Sequence, residues 1–174
     1  NGRAMELSGA VKDARAILIT WFLGSETGNA VADVLFGDHS PSGRLPVSFP
    51  HFSGQSPFYY AHKSTGRPAA SRDEGFKAQF RETGNNALYP FGHGLTYAPV
   101  SYSAVRLSSQ TMAWNGEITA SVTLTNGGQR PAEEVVQLYI RDRVASVTQP
   151  VRLLKDFRRV TVPAGGSVEV SIPL

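Results

Sequence analysis

Hydrophobic and polar positions alternate with a period of two over one long stretch of the chain. Ile118, Ala120, Val122 and Leu124 interleave with Thr119, Ser121, Thr123 and Thr125, as in a strand with one buried and one solvated face. Asn126-Gly127-Gly128 ends the run with turn chemistry. Segments of similar character lie at Val100–Leu107, Val135–Ile140, Leu153–Val162 and Val168–Leu174, the last two separated by Pro163-Ala164-Gly165-Gly166. Five strands at this spacing predict an all-β sandwich over 98–174. These 77 residues are fewer than the roughly 100 of a seven-stranded sandwich, so the final strands are expected to be missing.

The first fifty residues carry a different pattern. Ala16–Phe22 is a continuous apolar, β-branched and aromatic run, the mark of a strand covered on both faces in a parallel sheet. After the polar turn 24–28, Ala30, Val31, Val34 and Leu35 fall on one helical face, with Asn29 as N-cap and Gly37 as C-terminal stop. Leu45–Phe49 returns as a short strand closed by Pro50. The expectation for 1–50 is the end of an α/β domain. Residues 51–97 lack a sustained period but carry nine large rings, at 52, 58, 59, 60, 76, 80, 89, 91 and 97. That is too many for a free linker, so this segment is expected to pack.

Composition adds limits. A chain of 174 residues with 41% hydrophobic and 18% charged residues is globular. No apolar run approaches the ~20 residues of a membrane span. The absence of cysteine rules out disulfides and thiolate chemistry. The net charge of +3 is a weak excess, and the six basic residues of 141–159, against Asp142 and Asp156, are scattered along alternating segments. They read as solvated faces, which argues against a nucleic-acid partner. The chain opens at Asn1 without Met or a leader core, as a chain cut from something longer would.

Candidate chemistry is sparse. Glu26 follows the predicted buried strand, where strand ends line the ligand crevice of an α/β sheet. It also precedes a helix start, where a carboxylate is favoured by the dipole. Asp73 and Glu74 are adjacent and would point apart in an extended chain. The four histidines, at 39, 51, 62 and 93, have no metal spacing, so no zinc site is expected from them. Ser42 lies outside any G-x-S-x-G elbow, and Gly92-His93-Gly94 lacks a phosphate loop's third glycine. Tyr59, Tyr60, His62 and Arg67 sit in the segment YYAHKSTGRP. Its rings suit the apolar face of a sugar and its arginine suits hydroxyls, but the same rings would serve an interface.

Several strings go further. ADVLFGDHSPSGRLPVSFP (32–50) resembles the end of the α/β-sandwich domain of family 3 glycoside hydrolases, and FYYAHKSTGRP (58–68) and LYPFGHGLTY (88–97) are similar to two later signatures of that family. VTLTNGG (122–128), EVVQLYIRD (134–142), QPVRLLKDFRRV (149–160) and PAGGSVEVSIPL (163–174) resemble its closing fibronectin type III-like domain. The resemblance covers nearly the whole chain, in order, and is nearest to periplasmic bacterial β-glucosidases. It implies 1–50 as the last part of the α/β-sandwich domain, 51–97 as an inter-domain linker and 98–174 as the fibronectin type III-like sandwich, incomplete at both ends of the chain. It further implies a retaining hydrolase of terminal non-reducing β-D-glucosyl residues, without cofactor, periplasmic or secreted.

The substrate would be a β-glucoside or oligosaccharide, with no nucleic-acid or membrane partner and with self-association left open. The family's nucleophilic aspartate and acid/base glutamate would lie upstream, so no catalytic residue is carried over to this stretch. His93, Asn126-Gly127-Gly128 and Asp156 depart from the family's usual Tyr, Asn-Thr-Gly and Gly. The last implies that φ at 156 is not positive. The alternative is an autonomous fibronectin-like binding or docking module.

Overall fold

The computed structural model describes residues 2–64, 66, 67, 69 and 75–174. The chain divides into two compact units, each assembled from three stretches. The first comprises Asn1–Thr27, Leu45–His93 and Arg141–Leu153, and the second Gly28–Arg44, Gly94–Ile140 and Leu154–Leu174.

The second unit holds the sandwich. Its strands are β1 (Val100–Tyr102), β2 (Arg106–Leu107), β3 (Thr119–Asn126), β4 (Ala132–Ile140), β5 (Leu153–Val162) and β6 (Ser167–Pro173). The predicted first strand is present in two pieces, β1 and β2, which pair in succession with β3. β6 pairs antiparallel with β3, Thr119 opposite Pro173 through Thr125 opposite Ser167. A separate two-stranded sheet pairs β4 with β5.

The period-two pattern sets the faces. Ala120, Val122, Leu124 and Asn126 of β3 are buried, while the alternate positions carry hydroxyls. Inward residues of both sheets meet in one cluster: Val122, Leu124, Val136, Val162, Val170 and Ile172. On the other face the register brings Ser121 against Ser171 and Thr125 against Ser167, each hydroxyl pair 2.8 Å apart, small additions to the ladder.

Asn126 is the polar member of the inner face, with no exposed surface. Its amide donates to the carbonyls of Arg130 (2.8 Å) and Val162 (3.1 Å), and its oxygen accepts from Gly128 N–H at 2.8 Å. The side chain closes the turn after β3 and ties it to β5. Asp156, within β5, is not among the residues with positive φ, as expected from its side chain.

Helix α1 (Thr27–Phe36) agrees with the periodicity but starts earlier than predicted. Thr27 opens it, donating its hydroxyl to Gly24 O, and Gly37 closes it at φ 83°. Within the second unit, Tyr97 OH donates to Val34 O at 2.7 Å and Ser40 Oγ accepts from Tyr97 N–H at 3.1 Å. Gly94 lies so close to the Gly43 carbonyl that an added Cβ would stand 2.3 Å from that oxygen. Only glycine fits.

In the first unit the expected strand at Ala16–Phe22 is not formed. A strand covered on both faces needs sheet neighbours, and among the described residues no strand or bridge includes this run. Within the run Trp21 lies in the left-handed region, φ 51°. The predicted strand at Leu45–Phe49 survives as a single bridge between Phe49 and Tyr89. There Phe49 N–H donates to Tyr89 O (2.8 Å) and Leu88 N–H to Phe49 O (2.9 Å); at the other end Leu45 N–H donates to His93 O (2.9 Å) and Gly92 N–H to Leu45 O (2.8 Å). Ser48 Oγ accepts from Phe91 N–H at 3.0 Å. The LPVSFP and YPFGH strings are therefore partners, and Gly92, at φ 79°, makes the turn that brings His93 back. Phe49 is the buried anchor, 1% exposed, with Trp21 against its ring.

The aromatic segment packs in part. Phe52 meets Phe80 edge to face with centroids 5.9 Å apart, and Tyr60 stacks on Phe91 at 4.0 Å. Tyr59, Phe76 and Tyr97 stay exposed. Among the described residues no helix is long and apolar enough to cross a membrane.

Candidate functional site

The first unit contains a cavity of about 570 Å³, within the usual range of small-molecule sites. The chain reaches it through a 3-10 turn at Ser53–Gln55 and a cis Ser56–Pro57 bond, followed by Phe58 and Tyr59. The turn buries Gln55, whose carbonyl oxygen accepts from His51 N–H at 2.7 Å and whose amide donates to Gly84 O at 3.2 Å. Across the cavity Asn85 is fixed in the same way, accepting from Phe80 N–H at 3.2 Å and donating to Ala78 O at 2.8 Å. Both amides are held in one orientation and still have hydrogen-bonding capacity to spare.

Of the residues singled out from the sequence, Tyr59 and His62 line this cavity. Tyr59 is 65% exposed. His62 Nδ1–H donates to Lys63 O at 3.1 Å. Its backbone is pinned by Val151 N–H donating to His62 O at 2.9 Å and by the bridge between Lys63 and Pro150. Tyr60 turns its ring onto Phe91 instead. Arg67 is exposed; its carbonyl accepts from Ala78 N–H at 2.7 Å, and it is not in the lining. Glu26 is exposed in the turn ahead of α1 and also lies outside the lining. Asp73 and Glu74 fall outside the described residues.

Sequence reasoning missed the polar wall of Gln55, Asn85 and Asn86 and the contribution of Arg141. Isolated amides carry no local pattern, and 141 is far from 59 in sequence. Among the described residues no Asp or Glu lines the cavity, and no group of acidic or histidine side chains is arranged to hold a metal ion. Its described polar lining is amides, a serine, one imidazole and one guanidinium. Among the described residues it holds no acid and nucleophile pair for glycoside cleavage.

A second polar cluster lies in the second unit. Arg44 and Glu134 form an ion pair, both nearly buried, and Arg44 Nη1 also donates to Ser42 O at 3.2 Å. The Tyr102 hydroxyl donates to Glu134. Burial first, then the Glu134 charge and hydrogen bond, push the Tyr102 hydroxyl well above the usual tyrosine range, against the opposing pull of Arg44. Beside it Arg159 donates to Ser42 Oγ at 3.1 Å and pairs with Glu133, which holds the Glu133 carboxyl below its usual range. Every charge here is matched by a neighbour, as a structural network requires.

The first unit thus carries a cavity walled by rings and amides, and the second an antiparallel sandwich. Residues 1–97 match the glycosyl hydrolase family 3 C-terminal domain, and residues 134–174 match a fibronectin type III-like domain. The chain belongs to glycoside hydrolase family 3, whose members are glycoside hydrolases. It is 47% identical, over its full length, to a periplasmic beta-glucosidase of Salmonella typhimurium, of which it covers 23%. It is 38% identical over its full length to a beta-xylosidase of Formosa agariphila, again covering 23%. Among solved structures it is similar to a beta-glucosidase from Listeria innocua in complex with glucose, at TM-score 0.82 and 35% identity over 88% of this chain and 22% of that one. The chain thus spans about a quarter of the length of the curated relatives it matches.

Proposed function

We propose that this chain serves a periplasmic β-glucosidase that releases terminal non-reducing β-D-glucosyl residues with retention, and that it supplies framework and binding surface while the reacting carboxyls come from elsewhere in the protein. The observation that carries the reading is the 47% identity, without loss of coverage, to a periplasmic beta-glucosidase. Two features support the division of labour. Among the described residues the cavity is lined by no carboxylate, and Glu26, the acidic residue best placed by sequence, is exposed outside it. The 1–50, 51–97 and 98–174 division describes how the parts would follow one another in such an enzyme. A free-standing docking module fits less well, because the sandwich unit includes Gly28–Arg44 and binds it through Arg44–Glu134 and Tyr97–Val34.

The test compares aryl β-D-glucoside and aryl β-D-xyloside turnover by the full-length protein and by the 174-residue chain. The full protein is expected to prefer the glucoside by about tenfold or more in kcat/KM, a discrimination one sugar substituent readily gives. The chain alone should fall many orders of magnitude below it, as on removal of a catalytic pair. Xyloside preference overturns the substrate assignment. Turnover by the chain within roughly a hundredfold of the full protein overturns the non-catalytic role.

A further inference from the structure

We propose that Asn115 is a self-modifying site that loses its side-chain amide to become aspartate or isoaspartate, while the fold holds the same Asn-Gly pair at Asn126 inert. The chemistry needs only water and the chain itself. The backbone nitrogen of Gly116 gives up its proton and attacks the side-chain carbonyl carbon of Asn115. A new C–N bond forms, the bond to the amide nitrogen breaks, and that nitrogen leaves with the proton as ammonia. Water then opens the cyclic imide at either carbonyl, leaving the new carboxylate on the side chain or, in the isomer, next to the backbone. Nothing is oxidised or reduced.

Glycine permits the attack because it has no Cβ to obstruct the approach. The pair occurs at Asn1-Gly2, Asn115-Gly116 and Asn126-Gly127, and Asn1 lies outside the described residues. Asn29, Asn85 and Asn86 each precede a residue with a side chain. The two described pairs stand in opposite surroundings. Asn115 lies in the connection between β2 and β3, where residues 111–117 are all exposed, and its side chain bonds to no described residue. Gly116 N–H donates to Ala113 O at 2.9 Å and closes a turn. That bond must open before the nitrogen can attack, and a turn without a buried side chain opens at small cost. At Asn126 both reacting groups are held. The side chain has no exposed surface and is bound to Arg130, Val162 and Gly128, while Gly127 N–H donates to Pro99 O at 3.0 Å. Attack there would require β3, its turn and β5 to part together.

Each conversion at Asn115 adds one negative charge beside Glu117 and takes the net charge from +3 to +2. The change stays off the core. Just beyond it Ile118 and Leu174 bond to each other through both backbone groups, at 3.1 and 2.7 Å. The turn thus records the age of the protein without unfolding the sandwich.

The experiment incubates the unaltered full-length protein in mildly alkaline buffer, folded and in concentrated urea, and follows each Asn-Gly peptide by mass spectrometry. In the folded protein Asn115 is expected to convert at least about tenfold faster than Asn126, a gap set by the difference in local opening. In urea the two rates should agree within about threefold, since both then precede glycine in an open chain. Gly116→Ala should slow conversion at 115 in either state. Equal rates in the folded protein would overturn the proposal. So would conversion of Asn115 only after unfolding, which would mean that the bond to Ala113 holds the nitrogen back. A gap that persists in urea would assign the difference to neighbouring residues rather than to the fold, and an unchanged rate in Gly116→Ala would remove the attacking nitrogen from the reaction; either result overturns the proposal.

Discussion

Arg44, Glu134 and Tyr102 show how one distant contact fixes several neighbours. Glu134 is 5% exposed, and a carboxylate so placed is tolerated only because Arg44 and the Tyr102 hydroxyl satisfy it. Arg44→Met removes the partner and leaves the charge, so stability to urea should fall by about 3–5 kcal/mol. Adding Glu134→Leu should recover much of that loss, since an apolar pair of similar volume needs no compensation. A double variant as weak as the single one would mean that packing, not charge, matters at Arg44. Tyr102 gives an independent reading. Its folded pKa lies above the ordinary value, so the stability it contributes is complete below about pH 10 and lost as the pH rises through the folded value. Alkaline titration of tyrosinate absorbance should show a late-ionising group that Tyr102→Phe removes. A titration unchanged by Tyr102→Phe would contradict the burial of that hydroxyl.

At the scale of elements, Asn126 decides whether β3, its turn and β5 act together. Its amide faces two carbonyls, and an aspartate there would set a buried carboxylate against both. Asn126→Asp should therefore cost at least about 3 kcal/mol in chemical unfolding, well beyond a typical point change. A loss no larger than that of an exposed threonine of β3 would mean that the turn holds without the amide. The sandwich strands were legible because one face is buried and the other solvated, which writes a period of two into Ala120–Leu124. The partnership of LPVSFP with YPFGH was not legible, because the bonds between Phe49 and Tyr89 join positions whose side chains carry no shared pattern. Ala16–Phe22 misled for a related reason. Its apolar content describes a run that expects cover, and cover comes from neighbours that the run itself does not specify. At the candidate site, Tyr59 and His62 stood out as chemically suited types in one segment. Gln55 and Asn85 did not, since a buried amide is recognised only by the backbone groups it meets.

At the scale of the molecule, large apolar side chains stand open to solvent. Phe22 and Phe36 are both more than four-fifths exposed, and Trp114 is wholly so. In the curated relatives this stretch is about a quarter of the chain. Alone, the 174-residue chain has only water or another copy. Covering one such ring is worth roughly 1.5–3 kcal/mol, and a net charge of +3 offers little repulsion to set against it. Concentration-dependent self-association is therefore expected, detectable as a rising weight-average mass in sedimentation equilibrium. Because the contact is apolar, added salt should strengthen it slightly rather than dissolve it. Phe22→Ser together with Phe36→Ser should move the distribution toward monomer without lowering the melting temperature, since neither ring contributes to a buried core. A chain that stays monomeric at every concentration would show that these rings find cover within a single copy. Association that dissolves with salt would place the contact on the charged faces of β4 and β5 instead.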